Sequence, residues 1–441
     1  MKFRGLAIAC AVLLVLSGAL YWSSHHKADK KASANTSPVI LKVDPASVTT
    51  LSIHRLDSAR VTLARTSAGV WQIAQPKTLP ANQQTVKDML TDLAPLSAER
   101  VIAAHATDLQ AYGLDKPSVE LDIAEKNHAE HKLLFGDNTP TGNSAYAMVA
   151  GDPRVFTTYV FRKTDLSKSL DDLRDTRLVT ADPDKMTRID LARGSNEIDF
   201  DRNSRGNWQI EKPGPYRADT MSVDSLADAL SGVRMDLTGE GSSNADAGFA
   251  HGTQVASVKI SAPAGEQTLD IRKDGAHYYA KSSIAPGAYL VDSSIGDSLN
   301  KQLDSYRNKT LFDFSYNEPD EVTLQMPGKN GGTQSWYLRR GGNDWWLDGK
   351  KMDPDSVENV ISSLRDLTAT KFSTTGFSNP EIEATVTSSG GSLVEKVAIA
   401  KTGNQYLAQR ANEPTIYVLD PGAITGLEDA ARSIHPEKKS K

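Results

Sequence analysis

Three tryptophans, Trp71, Trp208 and Trp345, recur at intervals of 137 residues, and their neighbours recur with them. Gly69-Val70-Trp71-Gln72-Ile73-Ala74-Gln75-Pro76 returns as Gly206-Asn207-Trp208-Gln209-Ile210-Glu211-Lys212-Pro213, and in shorter form as Asn343-Asp344-Trp345-Trp346-Leu347. A fixed period of this length means that one structural unit is used three times. With 441 residues available, each unit is close to the usual domain size and can bury a core of its own. The units of a short-repeat solenoid cannot do this. The expected division is into repeat modules at 43–179, 180–312 and 313–434, with a basic tail at 435–441.

Each copy presents the same order of elements. A strand opens it (Val48 to Ile53, Thr187 to Leu191, Glu321 to Leu324), and a second strand and a glycine turn lead into the tryptophan strand. Apolar residues alternate along these short runs, which is the pattern of half-buried antiparallel strands. A polar residue then precedes helical spacing. Asn82, Asp219 and Asp355 are expected as N-caps, with Val86, Val223 and Val360 and then Leu93, Leu230 and Leu367 on the buried face of a helix. A glycine followed by a large apolar residue marks a turn in each copy (Gly113-Leu114, Gly248-Phe249, Gly376-Phe377). Further strands and a closing helical stretch (Asp165 to Arg174, Ile295 to Arg307, Gly422 to Ser433) complete it. The expected fold class is α+β. Each module would be an antiparallel β-meander with one inserted amphipathic helix and one closing helix, and an N-terminal transmembrane helix would precede all three.

That transmembrane helix is expected from the one sharp break in composition. Residues 1–5 carry two cations, and an uncharged apolar run extends from Leu6 to Trp22. The run is near the lower length limit for a bilayer-spanning helix and ends in Tyr21-Trp22, suited to a membrane interface. A signal peptide cut after Ala19 is the competing reading. Residues 23–42 are small, polar and charged and read as a flexible tether. Cys10, the sole cysteine, lies inside the apolar run, so no internal disulfide can form. The expectation is a single-pass protein of the bacterial inner membrane with most of the chain periplasmic. Lys+Arg number 50 against 55 Asp+Glu, and no dense basic patch exists, so nucleic acid is not an expected partner.

The G-x-W-x-I-x-x-P strand, the polar cap and the Tyr112-Gly113-Leu114-Asp115-x-Pro117 turn together resemble an uncharacterised bacterial family known as a domain of unknown function. The resemblance implies an N-terminal membrane anchor, repeated extracytoplasmic modules, and genes often adjacent to gliding-motility-type ABC-2 exporter components. It brings no catalytic residues. The second copy lacks the Tyr and Pro of the turn, and the third lacks the proline after the tryptophan strand.

No cluster in the chain supplies chemistry. His128-Ala129-Glu130-His131 departs from the H-E-x-x-H zinc pattern and falls between two strands, as an exposed hairpin tip would. Asp199-Phe200-Asp201-Arg202-Asn203 begins like a calcium loop but has neither the glycine nor the bidentate acid at the required positions. No catalytic residue, cofactor or metal site is expected, and the chain is not read as an enzyme. Gly69, Trp71, Pro76, Gly206, Trp208, Pro213 and Trp345 mark the structural motif, with the tryptophans as core residues because Ile73, Ile210 and Leu347 share their faces. In the third copy Trp346 replaces Gln72 and Gln209 on the opposite face. With Trp336 and Tyr337 nearby, it suggests an exposed aromatic interface, used either for packing between modules or for docking a partner. The functional expectation is a membrane-anchored, non-enzymatic interaction scaffold, attached through Leu6 to Trp22, whose partner is an ABC permease or a periplasmic subunit. The alternative is an array of cell-wall glycan-binding modules.

Overall fold

The computed structural model describes residues 37–314, 319–328 and 330–438. They fall into two compact units, divided between Thr176 and Arg177. The first unit contains one large sheet, and the second contains two. Strand accounts for 44% of the structure and helix for 22%, arranged around four antiparallel sheets. This corrects the α+β class: the protein is mainly β. The helices are minor elements laid against sheets rather than amphipathic insertions of equal rank. The apolar run read as a transmembrane helix lies outside the described residues, and no described helix is long and apolar enough to cross a membrane.

The first module shows the plan. Its strands are β1 (Val39–Leu41), β2 (Val48–Arg55), β3 (Val61–Arg65), β4 (Trp71–Gln75), β5 (Leu79–Pro80), β6 (Leu96–Ser97), β7 (Arg100–Ala103), β8 (Val119–Glu125), β9 (Glu130–Asn138), β10 (Ser144–Val149) and β11 (Val155–Tyr159). β1 and β6 make a two-stranded ribbon, so the end of the expected tether is ordered strand with Ile40 and Leu41 buried. The other nine strands form one sheet in the order β5-β4-β3-β2-β8-β9-β10-β11-β7. This is not a meander. The chain steps outward from β2 to β5, then returns to pair β8 with β2, and steps outward again to β11. The same plan recurs with Arg188–Arg193 beside Thr253–Ala262 in an eight-stranded sheet, and with Glu321–Pro327 beside Ile382–Ser388 in a nine-stranded one.

Alternation along each strand puts one set of side chains under the helices. Trp71 and Ile73 belong to the first core, with Val86, Met89, Leu90 and Leu93 of the helix Gln83–Leu93. Trp208 and Trp345 belong to the second and third. Asn82 and Asp219 cap their helices through side-chain oxygens. In the third module the cap is Asp353, not Asp355. There the cis-proline loops after Gln75 and Lys212 give way to a tight Asp348-Gly349 turn, with φ of 50° and 74°. The stretch from tryptophan to cap is therefore three residues shorter. Val357 and Leu364, rather than Val360 and Leu367, take the positions of Val86 and Leu93. All four are buried, because a shift of three residues is nearly one helical turn.

The opposite face of each sheet is covered only in part. Leu114, Met148 and Val155 form a small cluster there in module one. In module two Ala245, Phe249, Tyr279, Ala288 and Leu290 do so. Gly248 is not in a turn: it lies within the helix Ala245–His251, where a Cβ would meet the Tyr279 ring at 2.4 Å. Gly113 and Gly376, by contrast, are in left-handed turns. Among the described residues the second sheet has no ninth strand, and its edge Ala285–Val291 is guarded one group at a time. Asp246 accepts the Ala288 N–H at 2.8 Å, Leu290 O accepts the Asp236 N–H at 2.8 Å, and the Tyr289 hydroxyl donates to Pro286 O at 2.6 Å.

Candidate interaction surface

The tryptophans of the motif are held from both sides. Gln83 accepts the Trp71 N–H at 2.9 Å and donates to Trp71 O at 2.8 Å, fastening the strand to the helix start. The Trp208 indole donates to Asp224 at 2.8 Å, and the Arg202 guanidinium lies 4.4 Å from the ring centre while also pairing with Asp224. Gly69 and Gly206 both adopt φ of +82° in the preceding turn, a conformation costly for any residue with a Cβ. Pro76 and Pro213 follow cis peptides. The three tryptophans are buried in the cores of their modules.

Of the expected aromatic interface, Trp336 is corrected. It is 5% exposed and belongs to the third core. Adjacent residues on a strand face opposite ways, so burying Trp336 puts Tyr337 outside. Tyr337 and Trp346 remain 45% and 40% exposed. Arg339 lies directly across from Trp346, pairs with Glu321 at 2.9 Å and covers the Tyr337 ring at 5.1 Å. The open face of module three thus carries Tyr337, Arg339 and Trp346 together. Gln72 and Gln209 occupy the place of Trp346 in the other sheets. Farther across this face lies an open groove of about 510 Å³, bordered by Glu383, Thr385, Lys396 and Gln409. A groove of about 400 Å³ occupies the corresponding part of the first sheet, with Ser52, Asp122, His131 and Lys132. His128 and Glu130 lie at the hairpin there, and His131 contacts Glu125 at 3.0 Å. Asp199 is engaged by Arg188 at 2.8 Å and Lys212 at 3.0 Å rather than in a cation loop. Among the described residues, no group of three or more His, Cys, Asp or Glu side chains is arranged to hold a metal ion.

A second constellation has no signature in the sequence, because its members come from distant segments. Within the second unit, module two meets module three through Arg217, Arg307 and Arg410. Arg217 donates to Thr310 O at 2.8 Å and pairs with Asp313. Arg307, itself buried, lies between the rings of Tyr216 and Phe372, 4.1 and 3.7 Å from their centres, and donates to Thr415 at 3.2 Å. Arg410 donates to Leu311 O at 2.6 Å and contacts Asp313, Glu395 and Glu413. Glu395 is buried and accepts the Asp313 N–H at 2.7 Å, and its burial pushes the carboxyl above the usual range. Burial likewise pushes Tyr417, which donates to Glu413 at 3.0 Å, up to about 12. Arg217 and Arg410 are largely shielded while Asp313 stays half-exposed, so these contacts join the two modules with modest net stability.

These features define a protein of repeated, mainly β modules, each with its own core and one sheet face left partly open. The chain belongs to the family described as Domain of unknown function (DUF4340), whose model matches residues 71–252 and, overlapping them, 208–385. Both matches begin at a motif tryptophan and run on into the next module. No curated protein matches the chain. Among solved structures, a DnaN sliding clamp (DNA polymerase III subunit beta) from Pseudomonas aeruginosa bound to griselimycin shows 7% identity. The comparison covers 87% of this chain and 94% of that one with a TM-score of 0.15, a level that carries no inference about fold or function.

Proposed function

We propose that the protein is a non-enzymatic interaction scaffold of the bacterial envelope, attached to the inner membrane through Leu6 to Trp22 and serving as an accessory of an ABC-type exporter. The single observation that carries the interaction role is the open face of module three. Trp346 and Tyr337 are exposed beside Arg339, whereas the other two sheets have glutamine at the position of Trp346. Aromatic and arginine side chains grouped on an exposed face are the composition of binding hot spots. The apolar N-terminal run and the family resemblance support the location and the exporter as partner. A glycan-binding array would present the aromatic in every copy, and Gln72 and Gln209 speak against that.

Co-purification of the full-length chain with the permease from detergent-solubilised membranes tests the proposal. Recovery that drops at least tenfold in Trp346→Gln is expected. Undiminished recovery in that variant, or selective retention of the chain on cell-wall material in place of the permease, would overturn it.

A further inference from the structure

The segment leaving each module follows the same path. The N–H groups of Asn82, Asp219 and Asp353 donate to the carbonyls of Leu173, Tyr306 and His435. Those of Asp175, Asn308 and Glu437 donate to the carbonyls of Pro80, Arg217 and Lys351. These bonds align the three modules without reference to sequence, and they place Lys351 where module two has Arg217. The segments leading into the modules align in the same way. Val39, Arg177 and Thr310 pair with Ser97, Arg234 and Thr368, each four residues after the matching leucine of the helix. The exposed residue within each leading segment is then Lys42, Thr180 or Asp313, flanked on both sides by buried ones.

At the joint between modules two and three, the cation of the edge strand meets the anion of the leading segment as Arg217 and Asp313. At the corresponding edge of module three the cation is Lys351. Lys350–Lys351 is the edge strand there, and Lys351 pairs with Asp344 at 3.2 Å and Glu437 at 2.8 Å. Its cross-strand neighbour is the exposed Trp346, where Arg217 has Gln209.

We infer that the Trp346–Lys350–Lys351 edge is a second docking joint. It fits a partner module of this same fold that carries a carboxylate at the position of Asp313. Such a carboxylate competes with Asp344 and Glu437 for Lys351, and Trp346 adds apolar contact area that the internal joint lacks. A second copy of this chain is rejected, because Lys42 stands where the carboxylate is required and would face Lys351 with like charge. The inference deepens the scaffold reading and rests on it for its biological partner, but the geometry can be tested without that partner.

The probe is the full-length chain with Lys42→Asp, which gives a second copy the required anion. Analytical ultracentrifugation should show wild type as a single species. Lys42→Asp should associate reversibly, more weakly as salt rises. The double variant Lys42→Asp, Lys351→Glu should return to the wild-type species, and Lys42→Asp, Trp346→Gln should associate at least tenfold more weakly. Both lysines are outside the cores, and circular dichroism of each variant checks that the fold is kept before association is compared. Failure of Lys42→Asp to associate, association that survives Lys351→Glu, or association of the wild type through this edge overturns the inference. If Lys42→Asp associates but the permease does not co-purify, the joint stands and the exporter reading falls.

Discussion

Arg217 and Asp313, 96 residues apart in the chain, form an ion pair that ties the edge of the second sheet to the segment leading into the third. Asp313 also receives Arg410, so one half-exposed carboxylate serves an arginine from each module. Arg217→Ala should weaken the joint by roughly 1–2 kcal/mol, between the value of an exposed pair and that of a charged hydrogen bond removed from water. Both sheets should remain folded. Hydrogen exchange should accelerate at the amides of residues 308–313 and leave the strands Arg188–Arg193 and Ile382–Ser388 protected. Equal acceleration throughout would show that the contact supports the modules rather than their joint.

Trp208 and Trp346 should respond in opposite ways to substitution. Trp208→Ala removes the largest side chain of the second core and leaves Asp224 and Arg202 without their aromatic partner, so a loss of about 3–5 kcal/mol is expected. Trp346→Gln restores the residue of the other two copies at an exposed site and should change stability by no more than about 0.5 kcal/mol. Thermal unfolding followed by circular dichroism separates the two cases. A large loss from Trp346→Gln would mean that its ring supports module three.

Glu395 gives the second unit a pH dependence of defined sign. Burial raises its carboxyl in the folded state, so folding favours the protonated form. The contribution is fully favourable below the unfolded value and is lost as pH rises through the elevated folded value. Glu395→Gln keeps an acceptor for the Asp313 N–H and removes the titration. The melting temperature of wild type relative to this variant should fall between pH 4 and neutrality. A difference independent of pH would show that Arg410 and the Asp313 amide compensate the buried charge completely.

The tandem organisation and the inward tryptophans are local properties. A period of 137 residues and the alternation of Trp71 with Ile73 are written in consecutive residues, and the core follows from them. The errors arose where local signals are degenerate. Three residues are nearly one helical turn, so Val357 and Val360 both satisfy the apolar face, and the pattern does not reveal the shortened turn at Asp348-Gly349. Trp336 and Tyr337 are adjacent in sequence, but neighbours on a strand cannot both face outward. The candidate surface was accordingly half legible: Tyr337 and Trp346 are on it, and Trp336 is beneath it.

The chain alone specified three copies of one unit, through its 137-residue period, and the burial of Trp71, Trp208 and Trp345 and the anomaly at Trp346, through the alternation of neighbouring residues. It could not specify that β2 pairs with β8, which turns an expected meander into a continuous nine-stranded sheet, nor that Arg217 meets Asp313. Pairings of that kind depend on which strand edges and charges remain unsatisfied once the local elements have formed. That is settled by the geometry of the whole fold, because no spacing within the sequence encodes it.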